Sequence, residues 1–229
     1  GWQAASEVYF VDGRPVMTTA DAYYSLRWAQ KHLEGSYQPD AEDPLRLQQR
    51  LRPPRGHALT RSGVLSEWQP QRQPRELPLL SRLIALATPL AGGVERAALH
   101  LTPVLAALFV LPLYGCFARL GAPVAGLLGG LVTAFAPVYV GRTSLGDVDT
   151  DCLNLFFPWL AAWVLIWIRP QATPTRVVGL AAMLGVVLFG YFRWYDKPSL
   201  SLLYWGALAL VLLVQRRPLL LVVAATAVC

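Results

Sequence analysis

Three aspartates, Asp147, Asp149 and Asp151, lie within five residues in the segment GDVDTDCLNLFFP, directly before an unbroken apolar run. An aspartate at a helix N-terminus accepts hydrogen bonds from backbone N–H groups and meets the positive end of the helix dipole, so one carboxylate here can act as a cap. Capping does not need the other two, and a divalent cation with oxygen ligands would offset the repulsion among them. The spacing fits both helix capping and metal binding and does not decide between them.

A fourth aspartate, Asp21, lies in the segment TTADAYYSLRWAQKHLEG near the start of the chain. The segment carries the signals of a helix, because Thr19 can cap it, Asp21 falls in its first turn and Gly35 ends it. Apolar residues recur near helical spacing at Tyr23, Leu26, Ala29 and Leu33. An acidic residue in a first helical turn is common, so its position alone gives Asp21 no chemical role.

The elements that must position these aspartates have the composition of a membrane protein. Of the 229 residues, 55% are hydrophobic and only 15% are charged. The apolar residues gather in blocks of roughly 16 to 20, close to the roughly 20 that a helix needs to cross a bilayer. The blocks predict five spans at about 97–117, 121–140, 152–168, 177–192 and 199–214, with a truncated sixth from Leu219.

The sequence divides into two predicted domains. Residues 1–96 are polar or mixed and form a long first loop with short helices, and residues 97–229 form the transmembrane bundle. The Pro- and Arg-rich middle of the loop, Leu51 to Pro78, shows no sustained periodicity, which predicts mostly irregular structure. The segment 77–93 is apolar with one arginine, which favours a helix at the membrane interface.

Charge predicts the orientation of the bundle. The net charge of +6 comes from arginines and lysines in loops and at the ends of apolar blocks, a distribution that indicates topology signals and argues against nucleic-acid binding. Loops on one side contain five arginines and no acid: Arg119, Arg169, Arg176, Arg216 and Arg217. Loops on the other side contain Arg142 with the three aspartates, then Arg193, Asp196 and Lys197. The first set is predicted to be cytoplasmic, which leaves residues 1–96 outside with the aspartates.

Two apolar segments repeat one residue type. Glycines in AGLLGGLVTA, residues 125–134, predict close approach of a neighbouring helix. Trp159, Trp163 and Trp167 recur every four residues, which keeps them near one helix face and favours packing or lipid contact.

Three strings in order, TTADAYYSLRWAQ, GRTSLGDVDTDCLNLFFP and FGYFRWYDKPS, together resemble the catalytic subunit of oligosaccharyltransferase, most closely the bacterial single-subunit PglB type. That family has an Asp followed by aromatics in a long first external loop, a second D-x-D motif opening a later helix, and an aromatic Trp-Tyr element further on. The resemblance implies an all-α polytopic membrane protein with a GT-C type transmembrane bundle. It also implies a bacterial inner membrane, with the active site facing the periplasm.

The resemblance implies roles for individual residues. Asp21 would be catalytic and would share a divalent metal, Mg²⁺ or Mn²⁺, with Asp149 and Asp151, while Arg142 would be a catalytic neighbour of that motif. The remaining residues would bind the lipid-diphosphate donor: Arg193, Trp194, Tyr195 and Lys197. Arg193 departs from the first Trp of the family's Trp-Trp-Tyr element.

The implied reaction transfers a glycan en bloc from a polyisoprenyl-diphosphate donor to asparagine in N-x-S/T sequons of a protein or peptide. The alternatives are another polyisoprenyl-phosphosugar-dependent GT-C glycosyltransferase, which the DVDTD element fits less well, and a non-enzymatic cation-binding membrane protein. No signal peptide is visible in Gly1 to Glu7, and the apolar run that ends at Cys229 is too short to span a membrane, so we expect a fragment of a longer protein with a helix upstream. The resemblance implies a C-terminal soluble domain downstream. We accordingly expect these residues alone to be inactive.

Overall fold

The computed structural model describes residues 10–11, 14–17, 19–51, 65–72, 74–195 and 198–229. The N-terminal region contains two antiparallel hairpins, β1 (Phe10–Val11) with β2 (Arg14–Pro15), and β3 (Glu42–Leu51) with β4 (Leu65–Arg72). Helices then follow in the order α1 (Ala20–Leu33, between the hairpins), α2 (Leu79–Ala91), α3 (Val94–Ala107), α4 (Val110–Arg119), α5 (Pro123–Ala134) and α6 (Pro137–Thr143). A 3-10 helix (Thr150–Leu153) precedes α7 (Phe156–Ile166), α8 (Pro174–Tyr195), α9 (Pro198–Val214) and α10 (Leu219–Val228).

Strand β4 corrects part of the prediction that Leu51 to Pro78 is mostly irregular, because Leu65–Arg72 pairs along β3, while residues 52–64 and 73 lie outside the described residues. Most of the partner strand precedes this stretch, so local periodicity could not reveal the pairing. The register shifts between Asp43 and Leu47, around Pro44, which has no N–H to give to a ladder.

Helix α1 confirms the helix predicted between Thr19 and Gly35. The Thr19 hydroxyl accepts a hydrogen bond from the Ala22 amide at 3.3 Å, and Gly35 adopts the left-handed conformation that ends the helix, with φ of 67°. Trp28 on this helix is fully buried and meets Tyr24 and Tyr37 edge to face. The N-terminal loop therefore has a packed anchor beside the bundle.

Helices occupy every apolar segment, which confirms the predicted all-α membrane bundle. Val94–Arg119 and Pro174–Tyr195 are long and apolar enough to cross a membrane, and α5 with α6, bent by 64°, gives a third candidate. The shorter apolar helices are Leu79–Ala91, Thr150–Ile166, Pro198–Val214 and Leu219–Val228. The five crossings and the domain boundary at residue 96 stay predictions.

The long segment Val94–Arg119 divides into α3 and α4 near Leu108, four residues before Pro112. Proline has no N–H to donate to the carbonyl four residues back, so the regular helical ladder is interrupted at this point. The interruption lies beside buried Phe109, which packs edge to face on Tyr139 with ring centroids 5.4 Å apart. Tyr139 belongs to the helix that leads into the D-x-D segment.

Two buried clusters hold the elements together. The first joins α1, α2, α3, the 3-10 helix and the C-terminal end of α8, and its members include Ala22, Ile84, Val148, Cys152 and Trp194. The second joins α7, α8, α9 and α10 around residues such as Leu184, Leu208 and Ala225. Since Trp194 of α8 lies in the first cluster and Leu184 in the second, α8 connects the N-terminal loop to the rest of the bundle.

The predicted close approach at the glycines of α5 is confirmed at Gly126 and Gly130. A Cβ on Gly126 would lie 2.6 Å from the Phe117 Cβ and 3.2 Å from the Tyr114 Cα, and one on Gly130 would lie 3.0 Å from Val110. Gly129 has open space on its side of the helix, with nothing within 4 Å. The α4–α5 contact thus depends on two glycines of the three.

We predict that Gly126→Ala lowers the thermal unfolding midpoint of the purified protein, because the methyl group meets backbone and a Cβ that cannot rotate away. Overpacking of this kind costs about 1–3 kcal/mol. Gly129→Ala is the matched control and should leave the midpoint unchanged or raise it, since alanine favours the helix. Equal midpoints for the two variants would contradict the packing described here.

Candidate functional site

Asp149 caps the 3-10 helix that opens the D-x-D segment. Its Oδ1 accepts hydrogen bonds from the Thr150 amide at 2.6 Å and from the Thr150 hydroxyl at 3.2 Å. The capping role that the sequence offered for one aspartate of the three is therefore present at Asp149. The cap fixes the turn between Asp149 and Asp151.

Asp151 pairs with the arginine that the sequence placed beside it. Its Oδ2 accepts a hydrogen bond from Arg142 Nη1 at 3.2 Å, and its Oδ1 accepts one from Asn154 Nδ2 at 2.9 Å. Arg142 lies in the last turn of α6 and is largely exposed. The salt bridge brings a positive charge to the D-x-D turn, and the catalytic role that the resemblance implies for Arg142 stays a prediction.

Asp147 connects the D-x-D segment to the N-terminal loop. Partial burial raises the pKa of its carboxyl, the charge of Asp149 raises it further, and Arg142 opposes the rise. A hydrogen bond with the Thr19 side chain also lowers this pKa. Thr19 caps α1, so the contact brings the helix that carries Asp21 to the aspartates more than a hundred residues later.

Asp21 is exposed in the first turn of α1, next to Ala22, which is fully buried. Ala22 shares its buried cluster with Val148 and Cys152, which flank the D-x-D pair. The cluster brings two segments that are far apart in sequence into contact. The Asp21 side chain stays exposed at the surface, two residues after Thr19. The buried cluster thus brings the helix that carries Asp21 against the D-x-D segment, while the role of Asp21 stays a prediction.

The metal ligands stay a prediction. Within the residues that the structure describes, no three side chains of His, Cys, Asp or Glu are grouped closely enough to hold a metal ion. The donor set nevertheless suits a hard cation, because Asp21, Asp149 and Asp151 offer carboxylate oxygens. Burial is the main cause of the raised pKa of Asp147, and the charges of Asp149 and Asp151 raise it further.

The aromatic element at the end of α8 contacts the D-x-D backbone. Trp194 Nε1 donates to the Thr150 carbonyl oxygen at 2.8 Å, and the Tyr195 hydroxyl donates to the same oxygen at 2.7 Å. This carbonyl lies between Asp149 and Asp151, so two side chains hold the centre of the motif. Sequence reasoning gave Trp194 and Tyr195 a donor-binding role, which stays a prediction, and missed this contact.

Arg193 pairs with Glu76, a residue that sequence reasoning missed. The guanidinium donates to the Glu76 carboxylate, which joins the C-terminal end of α8 to the segment before α2. Glu76 is a single acid in the Arg-rich stretch QRQPRELP, and nothing in the local sequence predicts its contact with Arg193. Lys197, the remaining predicted donor-binding residue, lies outside the described residues.

Tyr139 is a second residue that the sequence did not single out. Its hydroxyl donates to the Ala106 carbonyl oxygen at 2.8 Å and lies 3.4 Å from the Cys152 carbonyl oxygen. Tyr139 therefore links α6 and α3 to the turn that carries Asp151. Its position in an apolar run, PVYVG, gave only the signal of a packing residue.

These features define a helical membrane protein with an aspartate-rich turn at the start of an apolar helix. A family model described as Oligosaccharyl transferase STT3, N-terminal, matches residues 3–227, and the chain belongs to this family. Membership indicates an oligosaccharyltransferase function in N-glycosylation, with a lipid-linked oligosaccharide donor and a protein acceptor. A search of curated proteins gives no significant match.

We predict that Trp194→Phe with Tyr195→Phe loosens the D-x-D turn, since both donors to the Thr150 carbonyl are lost. A hydrogen bond contributes about 1 kcal/mol, so amide exchange in the peptide spanning 147–154 should accelerate roughly tenfold or more. Hydrogen exchange with mass spectrometry measures this directly. Tyr204→Phe is the control, because its hydroxyl donates to the Pro158 carbonyl oxygen instead. Unchanged exchange in the double variant would show that the two bonds do not hold the turn.

Proposed function

We propose that this chain forms the metal and donor side of an oligosaccharyltransferase that moves a glycan from a polyisoprenyl diphosphate to asparagine in N-x-S/T sequons. The proposal rests on one observation, that segments far apart in sequence all contact the D-x-D turn. Thr19 of the N-terminal loop, Arg142, and the aromatic pair Trp194 and Tyr195 all contact residues 147–151. Three distant motifs of the chain therefore meet at one carboxylate-rich turn.

Asp149 and Asp151, with Asp21, would hold Mg²⁺ or Mn²⁺. When bound, the cation would neutralise the departing diphosphate as a Lewis acid. Arg142 now balances the charge of Asp151. Because its guanidinium is mostly exposed, it can keep that contact and still present N–H groups to a phosphate oxygen.

Asp21 would act on the acceptor asparagine. An amide nitrogen is a poor nucleophile because its lone pair is delocalised into the carbonyl. A carboxylate that accepts hydrogen bonds from the NH₂ group would favour rotation out of conjugation, and the nitrogen would then bond to the anomeric carbon. The bond from that carbon to the diphosphate oxygen would break, the diphosphate would leave with the electron pair, and the amide proton would pass to the carboxylate.

The donor would approach the end of α8. Arg193 is partly exposed and already bound to one anionic group, Glu76, and its guanidinium suits bidentate contact with phosphate. Lys197 follows in sequence and would add a second cation. The uneven distribution of arginines between the two sets of loops supports a site on the side opposite the cytoplasm. In a bacterial inner membrane this side would be the periplasmic one.

We predict that Asp149→Asn or Asp151→Asn lowers glycan transfer at least a hundredfold, because each change removes a carboxylate from the turn. The assay uses the full-length protein in membranes, a lipid-linked oligosaccharide and a fluorescent peptide with an N-x-T sequon, with added Mn²⁺. Glu95→Gln is the control, since Glu95 is an exposed acid in the first turn of α3. Full transfer by either aspartate variant would contradict the proposed site, and transfer to a peptide whose asparagine is replaced by glutamine would contradict the proposed acceptor.

We also predict that Asp21→Asn lowers transfer at least tenfold in the same assay, because asparagine cannot take the amide proton. Asp40→Asn is the matched control. Asp40 is exposed with φ of 60°, a conformation that asparagine tolerates, so the exchange should not disturb folding. Equal rates for Asp21→Asn and the unchanged protein would remove Asp21 from the mechanism while leaving the D-x-D site untouched.

A further inference from the structure

Two arginine side chains lie over the ring of one tryptophan, at the end of the bundle remote from the aspartates. The guanidinium carbon of Arg119 lies 4.9 Å from the centre of the Trp167 ring, and that of Arg176 lies 5.9 Å from it. Arg119 ends the segment Val94–Arg119 and Arg176 lies near the start of α8, the two segments long and apolar enough to span a membrane. We call Arg119, Trp167 and Arg176 the arginine pair site.

Within the described residues, neither arginine of this pair forms a salt bridge with an acid. After Glu95, the acidic residues of the chain are Asp147, Asp149, Asp151 and Asp196. The first three lie at the other end of α8, where Trp194 holds Thr150. Eighteen helical residues separate Arg176 from Trp194, a distance of about 27 Å at 1.5 Å per residue. Two cations beside one ring, with no salt bridge to a carboxylate among the described residues, therefore favour an anion from outside the chain.

An apolar groove leads away from the arginine pair site along α4. It has a volume of about 530 Å³ and is lined by Leu111, Tyr114, Gly115, Ala118, Arg119, Trp163 and Trp167. From Arg119 back to Leu111 the groove follows eight helical residues, or about 12 Å, which approaches the depth of one bilayer leaflet. Arg119 Nε is buried and has no hydrogen-bond partner within the described residues.

We propose that the arginine pair site and its groove bind an anionic phospholipid. The lipid phosphate would accept hydrogen bonds from Arg119 and Arg176, and one acyl chain would lie in the groove beside Tyr114 and Trp163. A cation at a helix end with an aromatic ring at its side matches the headgroup region of a membrane. The apolar lining favours a lipid over a small soluble anion, which would leave the groove unused.

The test titrates delipidated protein in an uncharged detergent with phosphatidylglycerol, phosphatidylcholine and inorganic phosphate, and follows bound lipid by native mass spectrometry. Phosphatidylglycerol should bind at least tenfold more tightly than phosphatidylcholine. Arg119→Gln with Arg176→Gln should weaken its binding at least tenfold. Arg216→Gln, which removes an exposed charge from the same end of the bundle, should leave binding unchanged.

A second variant tests the groove without touching the charges. Ala118 is exposed and lines the groove, so Ala118→Phe should fill it and weaken phosphatidylglycerol binding at least fivefold, with both arginines intact. Unaltered lipid binding in this variant and in the arginine double variant would overturn the proposal. Equal affinity for the two lipids, or displacement of phosphatidylglycerol by inorganic phosphate, would also overturn it. Glycan transfer is not the readout, so failure here leaves the proposed function standing.

Discussion

The site depends on one carbonyl oxygen. The Thr150 carbonyl accepts hydrogen bonds from Trp194 and Tyr195, and it lies between the two aspartates of the D-x-D pair. The Thr150 amide donates a hydrogen bond to the Asp149 side chain, so both backbone polar groups of Thr150 have hydrogen-bond partners. The aspartates therefore project from a fixed turn at the start of an apolar helix, where a loose turn would let neighbouring carboxylates move apart.

The same contact lies at the C-terminal end of a long helix, α8. Its 22 residues extend from the arginine pair site to the D-x-D turn, and it contributes residues to both buried clusters. Arg193, the residue before Trp194, pairs with Glu76 and so joins α8 to the N-terminal loop. One helix thus aligns the loop that carries Asp21, the D-x-D turn and the far end of the bundle.

The sequence predicted the helices well because each depends on local signals. The cap at Thr19, the glycine stop at Gly35 and the apolar blocks all lie within the elements that they specify. Strand pairing between β3 and β4 was missed because most of β3 precedes the stretch that was predicted to be irregular. The glycines of α5 predicted a close helix contact, although only the structure separates Gly126 and Gly130, which face α4, from Gly129, which does not.

The site was predicted less completely, because its contacts are long-range. Resemblance selected Asp21, Arg142, Asp149 and Asp151, and the structure brings Arg142 to Asp151 and the cap of the Asp21 helix to Asp147. No spacing rule could pair Glu76 with Arg193 or direct Trp194 to a backbone carbonyl. Both contacts join residues more than forty positions apart.

In the proposed site, the aspartates of the D-x-D turn bind a divalent cation. Electron paramagnetic resonance of Mn²⁺ added to the full-length protein tests this binding most directly, because bound and free Mn²⁺ give different spectra. We predict one bound Mn²⁺ per chain, displaced by excess Mg²⁺ and lost in the Asp149→Asn, Asp151→Asn double variant. Binding that persists in the double variant, or no binding in the unchanged protein at millimolar Mn²⁺, would contradict the proposed site.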